Sequence, residues 1–259
     1  MIKPVMIVDG GIAMSELNDA IKTRRSRRKY IPEVLKTVEI KKLQALIDEY
    51  NTKENLDIRL VVDNGDAFGG FRKSYGMFSG VRNYIALIGD KNDSVYLEKL
   101  GYYGELLILH ATALGLGTCW VGGTFHRESC PFELSEEQSI VCVITVGRVP
   151  QGLSLKEKLI HKLTHRKTKT MEEMYKSDND TPEWFLSGME AVKYALSAIN
   201  RQPVMFKYVK DGIVTANVEN IHGEGYALDL GIAKLHFELG AGNGSWEFGN
   251  GTRFARTEK

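Results

Sequence analysis

The sequence has few cysteines and no long apolar run, and both absences exclude classes of protein. Three cysteines occur in 259 residues, and no two of them have the Cys-x-x-Cys spacing of zinc and redox motifs. We therefore interpret Cys119, Cys130 and Cys142 as reduced packing residues. No apolar run approaches the ~20 residues that a membrane-spanning helix needs, and the first residues lack the order of a signal peptide. We expect a cytoplasmic protein.

An excess of one charge is also lacking. The chain has 34 Lys and Arg against 33 Asp and Glu, a net charge of +1, so no overall field attracts nucleic acid or anionic lipid. We expect a small-molecule substrate, no nucleic acid and no membrane as partner, and only a local anion site. No metal is expected, because lysines and an arginine surround the close pair His161 and His165. The sequence contains no Gly-x-Ser-x-Gly motif, so it does not indicate a catalytic serine.

The sequence does contain a mixed pattern of helix and strand. A helix is predicted from Ser15 through Ser26, a second after Pro32, and a third with an apolar stripe that ends near residue 115. Strands are predicted at 58–63, 84–89 and 140–146, and a mobile loop at 66–80. Residues 150–181 are polar and basic without a strong period, which indicates a connector.

After this connector the pattern starts again. Thr181 is a candidate N-cap, with Pro182 at the first position of a helix. Two alternating apolar runs flank Asp211 and Gly212, which predicts a hairpin. Asp229 is predicted to cap a final helix. We expect an α+β fold of two halves, residues 1–150 and 182–259, joined by a basic connector at 151–181.

An internal repeat supports the two halves. A shift of 126 residues superimposes a leucine, a histidine, a tryptophan and a glycine of one half on the same residue types of the other, among them Trp120 on Trp246. The matched segments share a layout of helix, glycine-rich stop and tryptophan. We predict that the halves pack about a pseudo-twofold axis as the subunits of a homodimer do.

Arginines cluster at residues 24–29, which read Arg-Arg-Ser-Arg-Arg-Lys. A phosphate monoester needs several charge-assisted donors in one place, and arginine supplies a rigid fork of them. The motif therefore indicates a phosphate site. A solvated basic face is the alternative that the residues alone leave open.

Two further stretches combine polar or glycine residues at the ends of elements. Residues 197–203, Ser-Ala-Ile-Asn-Arg-Gln-Pro, offer donors and acceptors that suit the edge of a planar heterocycle; a polar helix end is the alternative. Residues 117–123, Gly-Thr-Cys-Trp-Val-Gly-Gly, allow close approach of a ligand to the backbone. A Rossmann site is disfavoured there, because the helix precedes the glycines instead of following them.

Together these three stretches resemble the nitroreductase family of FMN proteins, and the resemblance spans most of the chain. Their order is similar to that in a single-chain subgroup of the family, in which two partial copies stand in for the usual homodimer. The resemblance implies a nitroreductase-like fold with an antiparallel-rich sheet flanked by helices. It also implies an FMN-dependent NAD(P)H oxidoreductase, in which hydride passes through the flavin N5 to a small acceptor such as a nitroaromatic or a quinone.

The resemblance also implies which residues hold the cofactor. Arg24, Arg25 and Ser26 match the phosphate and ribityl contacts, and Arg28 matches the basic residue beside the flavin pyrimidine edge, where a cation stabilises the anionic reduced flavin. Gly122 and Gly123 match the backbone that faces N5. The remaining implied cofactor-binding positions are Cys119, Trp120, Val121, Lys167, Lys169, Ser197, Ala198, Ile199, Asn200 and Gln202.

Some of these assignments have alternatives. Lys167 and Lys169, matched to a basic pair that closes on the phosphate, could equally be solvated linker charges. Leu196 and Val204 stand where the family usually has proline and tryptophan, which puts the neighbouring pocket shape in doubt.

Each motif occurs once, so we expect one FMN per chain, a competent monomer and room for a further homodimer. No side chain is predicted to be catalytic, because the flavin carries the chemistry. A non-catalytic FMN storage or sensor protein is the alternative function.

Overall fold

The fold is built from helices and two antiparallel-rich sheets, as the sequence predicts. A computed structural model describes residues 12–69, 74–164, 167–209, 212–220 and 225–256. Within these ranges no helix is long and apolar enough to cross a membrane. The helices are α1 Met14–Thr23, α2 Thr37–Glu54, α3 Ser94–Ala113, α4 Leu155–Thr164, α5 Glu183–Val192 and α6 Tyr226–Ala241. The strands are β1 Asp57–Val61, β2 Tyr84–Gly89, β3 Gly117–Val121, β4 Ser139–Gly147, β5 Tyr175–Ser177, β6 Met205–Tyr208, β7 Val214–Asn217, β8 Gly244–Trp246 and β9 Arg253–Arg256.

The residues group into two compact units that are not consecutive in sequence. The first unit comprises Thr23–Lys91 and Leu107–Thr164. The second comprises the described residues of Met1–Lys22, Asn92–Leu106 and His165–Lys259. Because both units draw on separated segments, they do not coincide with the linear halves expected from the sequence, whose boundaries stay a prediction.

The first unit contains a four-stranded sheet in the order β1-β2-β4-β3, in which every pair is antiparallel. Strand β2 is buried at all six residues, as expected for a continuous apolar run in the middle of a sheet. Its Tyr84 stands opposite Thr145 of β4 and packs against Phe68, with ring centroids 5.6 Å apart. This packing places the edge strand β3 beside the arginine segment.

The second unit contains a five-stranded sheet in the order β5-β6-β7-β9-β8. Only the β5–β6 pair is parallel. Strands β6 and β7 form the predicted hairpin, although residues 210 and 211 of its turn lie outside the described residues. Aromatic rings fill the core, where Phe237 of α6 lies 5.2 Å from both Phe206 and Phe254 between ring centroids.

Both sheets repeat one strand order. Along the chain, α2-β1-β2-α3-β3-β4 has the same sequence of elements as α5-β6-β7-α6-β8-β9. The spatial order β1-β2-β4-β3 likewise equals β6-β7-β9-β8, with β5 added at the β6 edge. Trp120 and Trp246, matched by the 126-residue shift, lie in the equivalent strands β3 and β8. The internal repeat is therefore present in topology as well as in sequence.

A buried ion pair fixes α6 within the second unit. The Lys234 ammonium and the Glu98 carboxylate lie 2.6 Å apart and are 0% and 1% exposed. Lys234 also reaches the carbonyls of Glu247 and Gly249, and the Gly249 amide donates to the second Glu98 oxygen. Because each charge has several partners, the pair is tolerated in the interior; removal of one member would leave the other uncompensated, which typically costs about 3–5 kcal/mol.

Four sequence expectations need correction. Helix α1 ends at Thr23 instead of Ser26, so the arginine segment is not helical. Pro182 instead of Thr181 is the N-cap of α5, so this helix begins one residue later than expected. Asp229 lies inside the first turn of α6, whose N-cap is Gly225. Residues 150–181, expected as a connector without strong periodicity, contain regular structure: α4, a 3-10 turn and β5. The mobility expected for residues 66–80 stays a prediction, and residues 70–73 lie outside the described residues.

Helix α4 matters because its Glu157 holds the arginine segment in place. The carboxylate is buried and accepts hydrogen bonds from the Arg28 and Lys29 amides at 2.8 and 3.2 Å. It also pairs with the Arg27 guanidinium at 3.2 Å and accepts from the Ser154 amide and hydroxyl. Burial alone would raise the pKa of Glu157, but the hydrogen bonds from Arg28, Ser154 and Lys29 outweigh it and lower the pKa to about 2.

Replacement of Glu157 by glutamine tests this anchor. A pKa lowered from 4.5 to about 2 corresponds to about 3 kcal/mol, so Glu157→Gln should reduce the free energy of unfolding at pH 7 by about that amount. Because the folded-state pKa is lowered, the contribution is present above about pH 4.5 and disappears as the pH falls toward 2. Urea denaturation should therefore show a difference from wild type that shrinks on acidification. The exposed Glu136→Gln is the control, and an equal effect of both variants would contradict the anchor.

Candidate functional site

The arginine segment runs in an extended conformation along strand β3. Ser26 forms an isolated parallel bridge with Thr118, and the Arg27 amide donates to the Thr118 carbonyl at 2.8 Å. Because α1 stops at Thr23, this short extended stretch brings residues 24–28 against the exposed edge of the sheet. The first and third stretches singled out in the sequence therefore meet within one unit.

The arginines of the segment have different surroundings. Arg27 is buried and donates hydrogen bonds to Glu157 and to the carbonyls of Pro150 and Gly152. Its role is therefore structural. Arg28 donates to the Cys119 sulfur at 3.0 Å, and its guanidinium lies 5.4 Å from the centroid of the Phe78 ring. Arg25 is exposed and Arg24 is half-buried. Arg24, Arg25 and Arg28 thus differ from Arg27, which the Glu157 carboxylate holds.

A cavity of about 200 Å³ opens beside these arginines. This volume is below the ~300 Å³ of the smallest pockets for drug-sized ligands, so the cavity suits one polar group. Thr118 is 1% exposed, and its hydroxyl has no hydrogen-bond partner among the described residues. A buried hydroxyl without a partner is costly, so Thr118 is a candidate for contact with a ligand. The lining residues are Thr23, Arg24, Arg25, Arg27, Thr112, Leu116, Gly117, Thr118, Val149, Gly152 and Leu153.

Strand β3 and the glycines after it divide into core and surface positions. The side chains of Cys119 and Val121 are buried in the core of the first unit, and Trp120 is half-buried. Gly117 is required by packing, because a Cβ there would lie 2.3 Å from Val149. Gly122 and Gly123 are exposed, and a Cβ on either would meet no atom within 4 Å. Their backbone can therefore be approached by a flat ligand.

The second cluster, in the second unit, is a loop with unusual backbone geometry. Ile199, Asn200 and Gln202 have φ values of 49°, 53° and 46°. This left-handed region is disfavoured for residues other than glycine, above all for β-branched isoleucine, and costs about 1–3 kcal/mol per residue. Strain of this size persists only where the surroundings determine the conformation, and it is typical of functional sites.

Several hydrogen bonds hold this loop. The Gln202 amide donates to the Ser197 hydroxyl at 2.8 Å. Lys169 donates twice to Gln202, from its backbone to the side-chain oxygen and from its ammonium to the carbonyl, both at 2.8 Å. The Asn200 side chain lies 3.5 Å from the Thr168 hydroxyl. Ser197, Gln202 and Lys169 therefore shape the loop from within.

The remaining loop residues form its outer surface. Ala198 and Ile199 are exposed and Asn200 is half-buried. Lys167 is exposed as well. The structure thus brings Lys169 together with Ser197–Gln202 and the arginine segment together with Thr118 and Cys119. The cofactor contacts of all these residues stay a prediction.

The sequence reasoning missed two residues that the geometry makes important. Thr118 lies within residues 117–123, but a single threonine in a strand carries no sequence signal for a binding role. Glu157 was missed because its partners in the arginine segment are 128 to 130 residues away in the chain. Among the described residues, no group of three or more His, Cys, Asp or Glu is placed to hold a metal. Cys119, Cys130 and Cys142 are free and buried.

Comparisons with known proteins find solved structures that resemble this chain. The crystal structure of a "putative nitroreductase" from Thermotoga maritima is similar over 97% of each chain, with 19% sequence identity and a TM-score of 0.61, which shows a shared fold. An FMN-dependent nitroreductase from Clostridium difficile matches 57% of this chain and 96% of its own, at 20% identity and a TM-score of 0.42. A nitroreductase with bound FMN from Bacteroides fragilis matches 54% of this chain and 91% of its own, at 16% sequence identity and a TM-score of 0.41.

No curated protein matches the chain. The family described as "Putative TM nitroreductase" matches residues 16–241, which include both clusters and both sheets up to the end of α6. A match over this much of the chain, together with the shared fold, shows that the protein belongs to this nitroreductase family.

Proposed function

We propose that the protein is an FMN-dependent NAD(P)H oxidoreductase that holds one FMN through the arginine segment and the Ser197–Gln202 loop. The observation that carries the proposal is the cavity lined by Arg24, Arg25 and Thr118; the buried Thr118 hydroxyl has no hydrogen-bond partner among the described residues. A dianionic phosphate monoester needs this combination of charge and hydrogen-bond donors.

The residues present fit the phosphate end of FMN. Arg24 and Arg25 line the cavity, and arginine can bind two phosphate oxygens at once. Glu157 fixes the backbone that follows, so the guanidinium groups start from a defined position and lose less entropy on binding. Ser26 adds a half-buried hydroxyl beside Thr118.

The ring end of FMN would be held by backbone and loop. Gly122 and Gly123 leave the space above them open, which allows close approach of a ring. Ala198–Asn200 present their backbone and the Asn200 amide at the loop surface. Arg28, fixed by Cys119 and Phe78, would keep a positive charge near the pyrimidine edge.

When bound, FMN supplies two-electron hydride transfer between a reduced nicotinamide and a small acceptor such as a nitroaromatic or a quinone. The chain's own part is to bind, orient and charge-stabilise, with no catalytic side chain. One complete set of motifs per chain would make a monomer competent, and a further homodimer is compatible with it.

The buried threonine gives a prediction that separates ligand binding from folding. Thr118→Val removes a hydroxyl that has no partner, so the free energy of unfolding of the apoprotein should stay equal or rise. FMN binding should weaken by roughly tenfold, as expected for one hydrogen bond to a charged group. Fluorescence titration and thermal unfolding measure the two effects. The reverse pattern, lower stability with unchanged affinity, would contradict a ligand at Thr118.

The activity itself is tested by anaerobic reduction. The purified yellow protein should bleach with NADH or NADPH and regain its colour with a nitroaromatic or a quinone. A yellow protein that no nicotinamide reduces would favour the alternative function, FMN storage or sensing, and would overturn the enzyme proposal. Arg24→Ala loaded with saturating FMN should still be reduced, because Arg24 is assigned to binding of the phosphate.

A further inference from the structure

A buried carboxylate lies under the strained loop. Asp229, in the first turn of α6, is 5% exposed and accepts a hydrogen bond from the Ala198 backbone. Its other oxygen has no partner among the described residues. A small cavity lies beside this carboxylate, and Ser197 and Gln202 of the loop also line it.

Ala198 occupies a decisive position in the loop. It immediately precedes Ile199 and Asn200, the two consecutive residues with left-handed backbone. Backbone strain of about 1–3 kcal/mol per residue must be offset by fixed contacts. Ser197 and Gln202 hold the two ends of the loop together, but Ala198 is the donor that ties its middle to a helix.

We propose that Asp229 is a positioning residue: its ionised carboxylate fixes the Ser197–Gln202 loop in the shape that binds the flavin and thereby makes FMN affinity depend on pH. The inference rests on the proposed function, because it assigns the regulation of the same site. Asp229 touches the loop from beneath and is not itself a ligand of FMN.

Few charges face this carboxylate. Arg201, which belongs to the loop, attracts it. The other residues around the small cavity carry no charge: Met174, Val192, Ala195, Leu196, Ser197, Gln202, Pro203, Val204 and Ala233. Burial therefore raises the pKa of Asp229 to about 7, against the opposing effects of the Ala198 hydrogen bond and Arg201.

The protonation state of Asp229 changes the strength of its hydrogen bond with the loop. The ionised carboxylate makes a charge-assisted hydrogen bond with Ala198, roughly twice as strong as a neutral one. The protonated acid accepts the same bond more weakly. FMN affinity should therefore rise as the pH passes through 7, whereas the stability of the apoprotein should fall between about pH 4 and 7, because the folded state retains the proton more tightly than the unfolded state.

Asp229→Asn provides the test, since the amide has the size of the acid and keeps a neutral acceptor for Ala198. The FMN phosphate itself titrates near pH 6, so the measured quantity is the ratio of the two FMN dissociation constants, variant over wild type. We expect a ratio near one at pH 5.5 and about fivefold to tenfold at pH 8.5. Asp178→Asn, an exposed carboxylate of the same unit, is the control and should give a ratio of one throughout.

A ratio that does not change with pH would overturn the inference. A stability difference without an affinity difference would also overturn it, because a purely structural Asp229 predicts that pattern. Hydrogen exchange of the Ala198 amide in the apoprotein separates the two proposals: at pH 8.5 this amide should exchange faster in Asp229→Asn than in wild type. If this holds but wild type binds no FMN at any pH, the proposed function fails while Asp229 still positions the loop.

Discussion

The first cluster depends on one carboxylate. Glu157 accepts two consecutive backbone amides of the arginine segment and pairs with Arg27, so an irregular stretch of chain acquires a defined position without a helix or a sheet. Without this anchor, the like charges of the segment would repel one another and the guanidinium groups would separate. Glu157 thereby fixes the backbone that directly follows Arg24 and Arg25, which line the cavity.

The second cluster also holds an irregular segment in a defined position, but with different contacts. A loop with three left-handed residues is fixed by Lys169, by the Ser197 hydroxyl and by the buried Asp229. In each unit a repeated helix-and-sheet scaffold therefore supports one irregular segment, and buried polar side chains hold that segment. The topology is repeated, but the two segments are not: each motif occurs once in the chain.

Helices and strands were predictable where the apolar residues of the sequence pattern are the buried ones. Strand β2, apolar at almost every position and buried throughout, and the β6–β7 hairpin follow directly from the sequence. Helix α4 does not, because its leucines at 155, 159 and 163 are exposed and only Ile160 and Glu157 face the core. Such a helix lacks the apolar stripe that sequence reasoning uses.

Site residues were predictable where they belong to a sequence motif. They were not predictable where their role depends on a contact with a residue distant in the chain. The arginine and Ser-Ala-Ile-Asn segments were identified from sequence, and each lies with a neighbour that the sequence also indicated. Asp229 was misinterpreted as a cap because the N-cap of this helix lies four residues earlier, at Gly225. Its contact with Ala198 crosses about 30 residues, and no local pattern encodes it.

That a single chain holds one complete FMN site is tested most directly by mixing two defective chains. Arg24→Ala and Asn200→Ala should each weaken FMN binding, by about 10-fold to 150-fold for Arg24, the usual value of a charge-assisted hydrogen bond. If each site lies within one chain, a mixture of the variants should bind no better than either alone, and wild type should release one FMN per chain. Partial recovery of tight binding in the mixture, or two FMN per chain, would contradict the single-chain site.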